Sequence, residues 1–223
     1  MKAMKLFGMV ALLVGMTLIS CSGDDGKDGM DGIDGVNGTN GQDGTDGTNG
    51  IGFDELTRYG SVTLELNGNR PDGITIDYST IFKFTQTNGE TYSSNILHQD
   101  KDVFLQFTRF YSSPDDYYNG NFIHFYIQIS NFGETTQAIN YSEVQIQGHP
   151  VIGTDNKYFI LDDLYESNTN GTSEIEYTDF NFDPDDNHLT FNYSFFVDAS
   201  ANDSTHPLHV KGSGDVYLLE EIQ

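Results

Sequence analysis

Several groups of residues in this 223-residue chain have types and spacings that could do chemistry. Asp179, Asn181, Asp183, Asp185 and Asn187 fall at every second position. Oxygen donors in such a row suit Ca²⁺, which gathers about six to eight oxygens; Asp179, Asp183 and Asp185 would carry the balancing charge. The competing reading is a strand with Phe180 and Phe182 on a core face, ending in a turn at Asp183-Pro184-Asp185. Just upstream, Glu174, Glu176 and Asp179 bring three carboxylates close together, the material of general acid and base work. Pro114-Asp115-Asp116-Tyr117-Tyr118-Asn119-Gly120 is a turn-rich loop in which Tyr117 and Tyr118 would offer rigid, amphipathic contact area to a glycan or a protein. His206 and His209 are the only close histidine pair. The spacing supplies no third zinc ligand, and neither H-E-x-x-H nor G-x-S-x-G occurs. Cys21 is the only thiol, so an intrachain disulfide is excluded.

Two of these segments resemble known motifs. The run from Asp179 resembles the start of a calcium-binding loop, with Pro184 where that loop turns on glycine and Thr190 where it closes on glutamate. Glu174-Ile175-Glu176-Tyr177-Thr178-Asp179 resembles the E-x-D-x-x-E strand of laminarinase-type β-sandwich glycosidases, in which a bulge brings nucleophile and acid onto one face. Here Glu176 stands in place of that Asp and Asp179 in place of the second Glu, and the chain has no Trp for a sugar to stack on. Strand alternation explains the segment equally well, and no catalytic residue is assigned from it. Asp203-Ser204-Thr205 is similar to the O-glycosylation acceptor of exported Bacteroidota proteins.

The elements that must position these residues follow from composition and pattern. With 34 Asp+Glu against 10 Lys+Arg the formal charge is −24, which excludes a nucleic-acid partner by repulsion. The 16 Phe and 13 Tyr carry too much apolar area for a wholly disordered chain. At the N-terminus, Lys2 and Lys5 precede an apolar run, Leu6 to Ile19, too short to span a bilayer and of the length of a secretory signal. The run ends in Leu18-Ile19-Ser20-Cys21. This tetrapeptide resembles the bacterial lipobox, which implies removal of residues 1–20, acylation of Cys21 and attachment to a membrane through the lipid; two or more acyl chains anchor stably where one does not. The following Ser22-Gly23-Asp24-Asp25 resembles the acidic signal that sends Bacteroidota lipoproteins to the outer face of the outer membrane.

Between Gly23 and Gly50 every third residue is glycine, giving nine full triplets. The pattern resembles the collagen-like segments of bacterial surface proteins, in which only glycine fits at the crowded triple-helix axis. These triplets contain no proline and seven aspartates against Lys27 alone. That composition favours a monomeric hydrated stalk, with a trimeric collagen-like stem as the alternative; residues 21–52 act as a spacer in either case.

Residues 53–223 read as one all-β domain. Val62, Leu64 and Leu66, Ile123 to Ile129, and Leu189 to Phe195 alternate apolar with polar at period two. Asn67-Gly68, Asp72-Gly73, Asn119-Gly120, Asn170-Gly171 and Asp183-Pro184-Asp185 read as turns between strands. About ten to twelve short strands predict an antiparallel β-sandwich, with the jelly-roll and immunoglobulin-like orders both open. The expectation for the whole chain is a lipid-anchored, surface-displayed binding or structural module without a required cofactor. The runner-up is a glycan-binding or glycan-degrading accessory of surface uptake.

Overall fold

A computed structural model describes residue 26 and residues 56–86, 94–113 and 120–220. Cys21, the glycine triplets after Gly26, Tyr117 and Tyr118 lie outside the described residues. The β structure belongs to the unit spanning Gly47–Gln223. Its strands are β1 (Gly60–Asn69), β2 (Thr75–Phe82), β3 (Ser94–Gln99), β4 (Asp102–Phe110), β5 (Phe122–Ser130), β6 (Ala138–Ile152), β7 (Tyr158–Glu166), β8 (Glu176–Asp183), β9 (His188–Val197) and β10 (Leu208–Tyr217).

They form two five-stranded antiparallel sheets. Sheet one runs β2-β1-β10-β9-β8 and sheet two runs β3-β4-β5-β6-β7. Strands adjacent in sequence pair everywhere except at β2/β3 and β7/β8, and β1 pairs with β10. The chain therefore winds up and down around a ring that is interrupted twice, where it steps from one sheet to the other. This is a sandwich of neither jelly-roll nor immunoglobulin order, because no Greek-key connection occurs among the paired strands. The first step is partly bridged by Phe84 against Phe110, and the second by Thr172 against Val197.

Period-two alternation sends one side of each strand inward. Ile123, Phe125, Ile127 and Ile129 of β5 are wholly buried, as are Val62, Leu64 and Leu66 of β1. The sheets meet through rings: Phe125 stacks on Phe107 at 5.1 Å and packs edge-on against Phe191 and Tyr193 from sheet one, at 5.3 and 5.1 Å. Buried aromatic pairs of this kind each add about 0.5–1.5 kcal/mol beyond their area.

One turn expectation fails. Asn67-Gly68 lies inside β1, where Gly68 opposes Leu208, and a Cβ on it would meet the Pro207 carbonyl oxygen at 2.6 Å. The chain turns only at Arg70–Gly73, stabilised by the Gly73 N–H on the Arg70 carbonyl. In β6, Gly148-His149-Pro150 does not end the strand but forms a bulge, with φ of +57° at Gly148. A Cβ there would strike the Gly120 carbonyl, so only glycine fits.

Arg109 of β4 is wholly buried at one end of the core. Its guanidinium donates to the backbone carbonyls of Thr108, Tyr59 and Tyr217, at 2.9, 2.7 and 3.0 Å. Burial lowers its pKa to about 9. The side chain crosses from sheet two to the start of β1 and the end of β10 in sheet one.

Candidate ligand groove

The first half of β6 outruns its neighbour. Glu143 opposite Glu166 is the last β6–β7 ladder pair, extended by the Ser167 N–H on the Ser142 carbonyl. The chain then turns through Asn168, Asn170 and Gly171, all with positive φ, and crosses to sheet one, where β8 begins at Glu176. Asn and Gly tolerate this left-handed geometry best. The step leaves a groove of about 520 Å³ lined by residues 139–142 of β6, Ser167, Asn168 and residues 174–178.

Its chemistry is carboxylate, amide, hydroxyl and ring, with no Lys or Arg in the lining. Glu174, Glu176, Asn140 and Asn168 are exposed. The Tyr141 hydroxyl donates to Glu143 Oε2 at 2.9 Å; burial, then the Glu143 carboxylate, push its pKa up. Glu143 and Glu166 sit directly opposite each other, a like-charge pairing that disfavours the sheet. The Tyr177 hydroxyl is buried and points toward Ser142 without reaching hydrogen-bond geometry. Outside the groove, the wall continues onto the outer face of sheet two, where Tyr141, Tyr126 and Phe104 form a row with ring centroids 5.8 and 6.4 Å apart.

The sequence-derived candidates are distributed as follows. Glu174 and Glu176 line the groove, whereas Asp179 does not. Asp179 sits at a β8 bulge with φ of +51° and accepts the Asn192 amide at 2.9 Å. The bulge of the glycosidase-like motif is thus present, but it turns the third carboxylate to a sheet partner. Asp183 and Asp185 belong to the β8–β9 hairpin turn, where Asp183 Oδ1 accepts the Asp185 N–H at 2.9 Å. Among the described residues, no three His, Cys, Asp or Glu side chains gather in a metal-holding group. The hairpin reading of the Asp179–Asn187 run accounts for these contacts.

His206 and His209 face different partners. His209 Nε2 bonds Ser194 Oγ and its ring stacks on Phe196 at 4.3 Å, while His206 Nδ1 meets the Ser204 carbonyl. Ser204 of the acceptor-like triplet is wholly buried, donating to the His206 carbonyl and accepting the His206 N–H. Its hydroxyl is inaccessible to a glycosyl donor in the fold. Asp203 instead caps the outer edge of β7, taking the Asp162 N–H at 2.9 Å, one way of blunting an edge strand.

A second cluster, at the opposite end of β6, joins residues far apart in the sequence. The β6 bulge turns His149 wholly inward, where Nδ1 donates to Asn121 Oδ1 and Nε2 accepts the Tyr78 hydroxyl, both at 2.9 Å. Tyr78, Phe82 and Tyr111 surround the ring at 5.0–5.7 Å. Burial lowers its pKa to about 4, so it is neutral at pH 7. Beside it a smaller cavity, about 220 Å³, lies between β2 and Val151–Asp155, closed by buried Arg70, which holds Asp72 and Asp155 together. The signal for this cluster was Gly148 within a strand pattern, which marks a bulge or a close backbone approach.

No protein family, characterised protein or solved structure matches this chain.

Proposed function

We propose that this chain is a lipid-anchored cell-envelope protein that presents a β-sandwich binding module on an acidic, glycine-rich tether, at the outer membrane and facing outward. The observation that carries the reading is the position of Cys21, which closes a charged-then-apolar leader and directly precedes the glycine triplets. Acyl chains on that sulfur would fix the base, and the tether would hold the sandwich clear of the membrane. The filled aromatic core supports a module that meets its ligand at the surface, on the groove and outer faces.

The test is Cys21→Ser in the native host. The parent is expected to partition into the detergent phase and to be cleaved by protease added to intact cells; the variant is expected in the aqueous phase. Continued detergent partitioning of the variant would overturn the anchoring. Protection of the parent on intact cells would overturn outward display.

The second reading, an accessory of glycan uptake, is favoured by Glu174 and Glu176 facing the same groove as Tyr141.

A further inference from the structure

We infer that the groove between β6 and β8, with the ring row leading into it, binds a neutral linear oligosaccharide. This deepens the binding-module reading and rests on it. About 520 Å³ is the volume of a small-ligand site, and the lining chemistry narrows the class. Glu174 and Glu176 only accept hydrogen bonds when ionised, whereas Asn140 and Asn168 both donate and accept. A sugar hydroxyl does both, so it complements each of them. An anionic ligand is disfavoured, because no cation lines the groove and the chain carries −24.

Two features point to a ligand and away from a purely structural role. The Tyr177 hydroxyl is buried without a partner, a costly state that a donor or acceptor reaching in from the groove relieves. The opposed Glu143 and Glu166, like Glu174 and Glu176, have no salt-bridge partner among the described residues. Amphipathic rings supply the rest: Phe104 and Tyr141 share a cross-strand row with Gln128 between them, and Tyr126, opposite Gln106, stands in the neighbouring row. Their planes differ by 72° and 46°, which suits a twisting chain better than a flat crystalline surface. A lysine-rich peptide would answer the carboxylates by charge and the rings by cation–π contact, so hexalysine is the competing ligand in the test.

The full-length protein, held in a sugar-free detergent, would be titrated calorimetrically with cellohexaose, laminarihexaose, xylohexaose, mannohexaose and maltohexaose. Hexagalacturonate and hexalysine complete the set. At least one neutral hexasaccharide is expected to bind, and Tyr141→Ala and Asn168→Ala are each expected to weaken it about tenfold or more. Phe196→Ala, on the outer face of sheet one, should leave affinity unchanged. Glu176→Gln, at an exposed position, provides a groove variant that keeps the fold, and matching circular dichroism and melting curves verify all four. Binding of no neutral hexasaccharide, binding of hexalysine alone, or unchanged affinity in Asn168→Ala and Glu176→Gln would each overturn the inference. Those results would leave the anchoring and display experiments untouched, so the two readings fail separately.

Discussion

The two ends of β6 meet sheet one in opposite ways. At the C-terminal end, polar groups are matched: Arg70 divides its N–H groups between Asp72 and Asp155, and both nitrogens of His149 have partners. At the N-terminal end, Glu143 faces Glu166, Glu174 and Glu176 are exposed, and the Tyr177 hydroxyl has no partner. The same strand is therefore a clasp at one end and an open site at the other. Unmatched polar groups cost stability; at the groove end they are exposed or opposed carboxylates and the Tyr177 hydroxyl, whereas the C-terminal end is held by ion pairs and side-chain hydrogen bonds.

Substitutions at the two ends should sharpen this contrast. The largest effect is expected from His149→Ala, which empties a packed ring site and strands the Tyr78 hydroxyl and Asn121; a loss of about 3–5 kcal/mol should appear in urea denaturation. Acid should act through the same residue. His149 has a native pKa of about 4, below its unfolded value of about 6.5, so between those values the unfolded chain binds more protons. Its contribution is fully present above pH 6.5 and is lost as pH falls toward 4, by an amount on the order of 3 kcal/mol. His149→Gln should reduce that slope without abolishing it, because His124, whose pKa burial also lowers to about 4, titrates in the same window; an unchanged slope would show that His149 is not a source.

Arg70→Met should come next, lowering the melting temperature by releasing the β1–β2 turn from the β6–β7 turn. Asp72 and Asp155, both held by Arg70 below the usual carboxylate range, should return toward ordinary values by NMR titration. The smallest change should be at the open end, with opposite sign. Glu143→Gln removes the like-charge pairing with Glu166 and should raise stability by about 0.2–1 kcal/mol. Should it destabilise instead, the Tyr141–Glu143 hydrogen bond contributes more than the repulsion removes, and the contrast between the two ends narrows.

Much of the fold could be read from alternation, because one face of each sheet is dry. β1, β5 and β9 place apolar residues at every second position and are buried accordingly. β3 escaped notice because its one buried residue, Ile96, is followed by Leu97 on the wet face. β10 reads as two strands split at Gly212-Ser213-Gly214, yet it is continuous. Those glycines leave room for Tyr193 and Phe191, their register partners in β9, so what looks like a break is a fit to large rings across the ladder. At the groove, Glu174 and Glu176 could be singled out from local spacing. Asn140, Tyr141 and Asn168 could not, since they reach the site only because β6 outruns β7 and the chain crosses between sheets. Tyr117 and Tyr118 remain the sequence's own suggestion for a contact loop.

Arg109 has a mechanical consequence. By gripping the carbonyls of Tyr59 and Tyr217 from the opposite sheet, it rivets the first and last strands together at the corner where the chain enters β1. A pull on the chain ahead of β1 would then load the aromatic interior as a block, and the terminal strands would not unzip one hydrogen bond at a time.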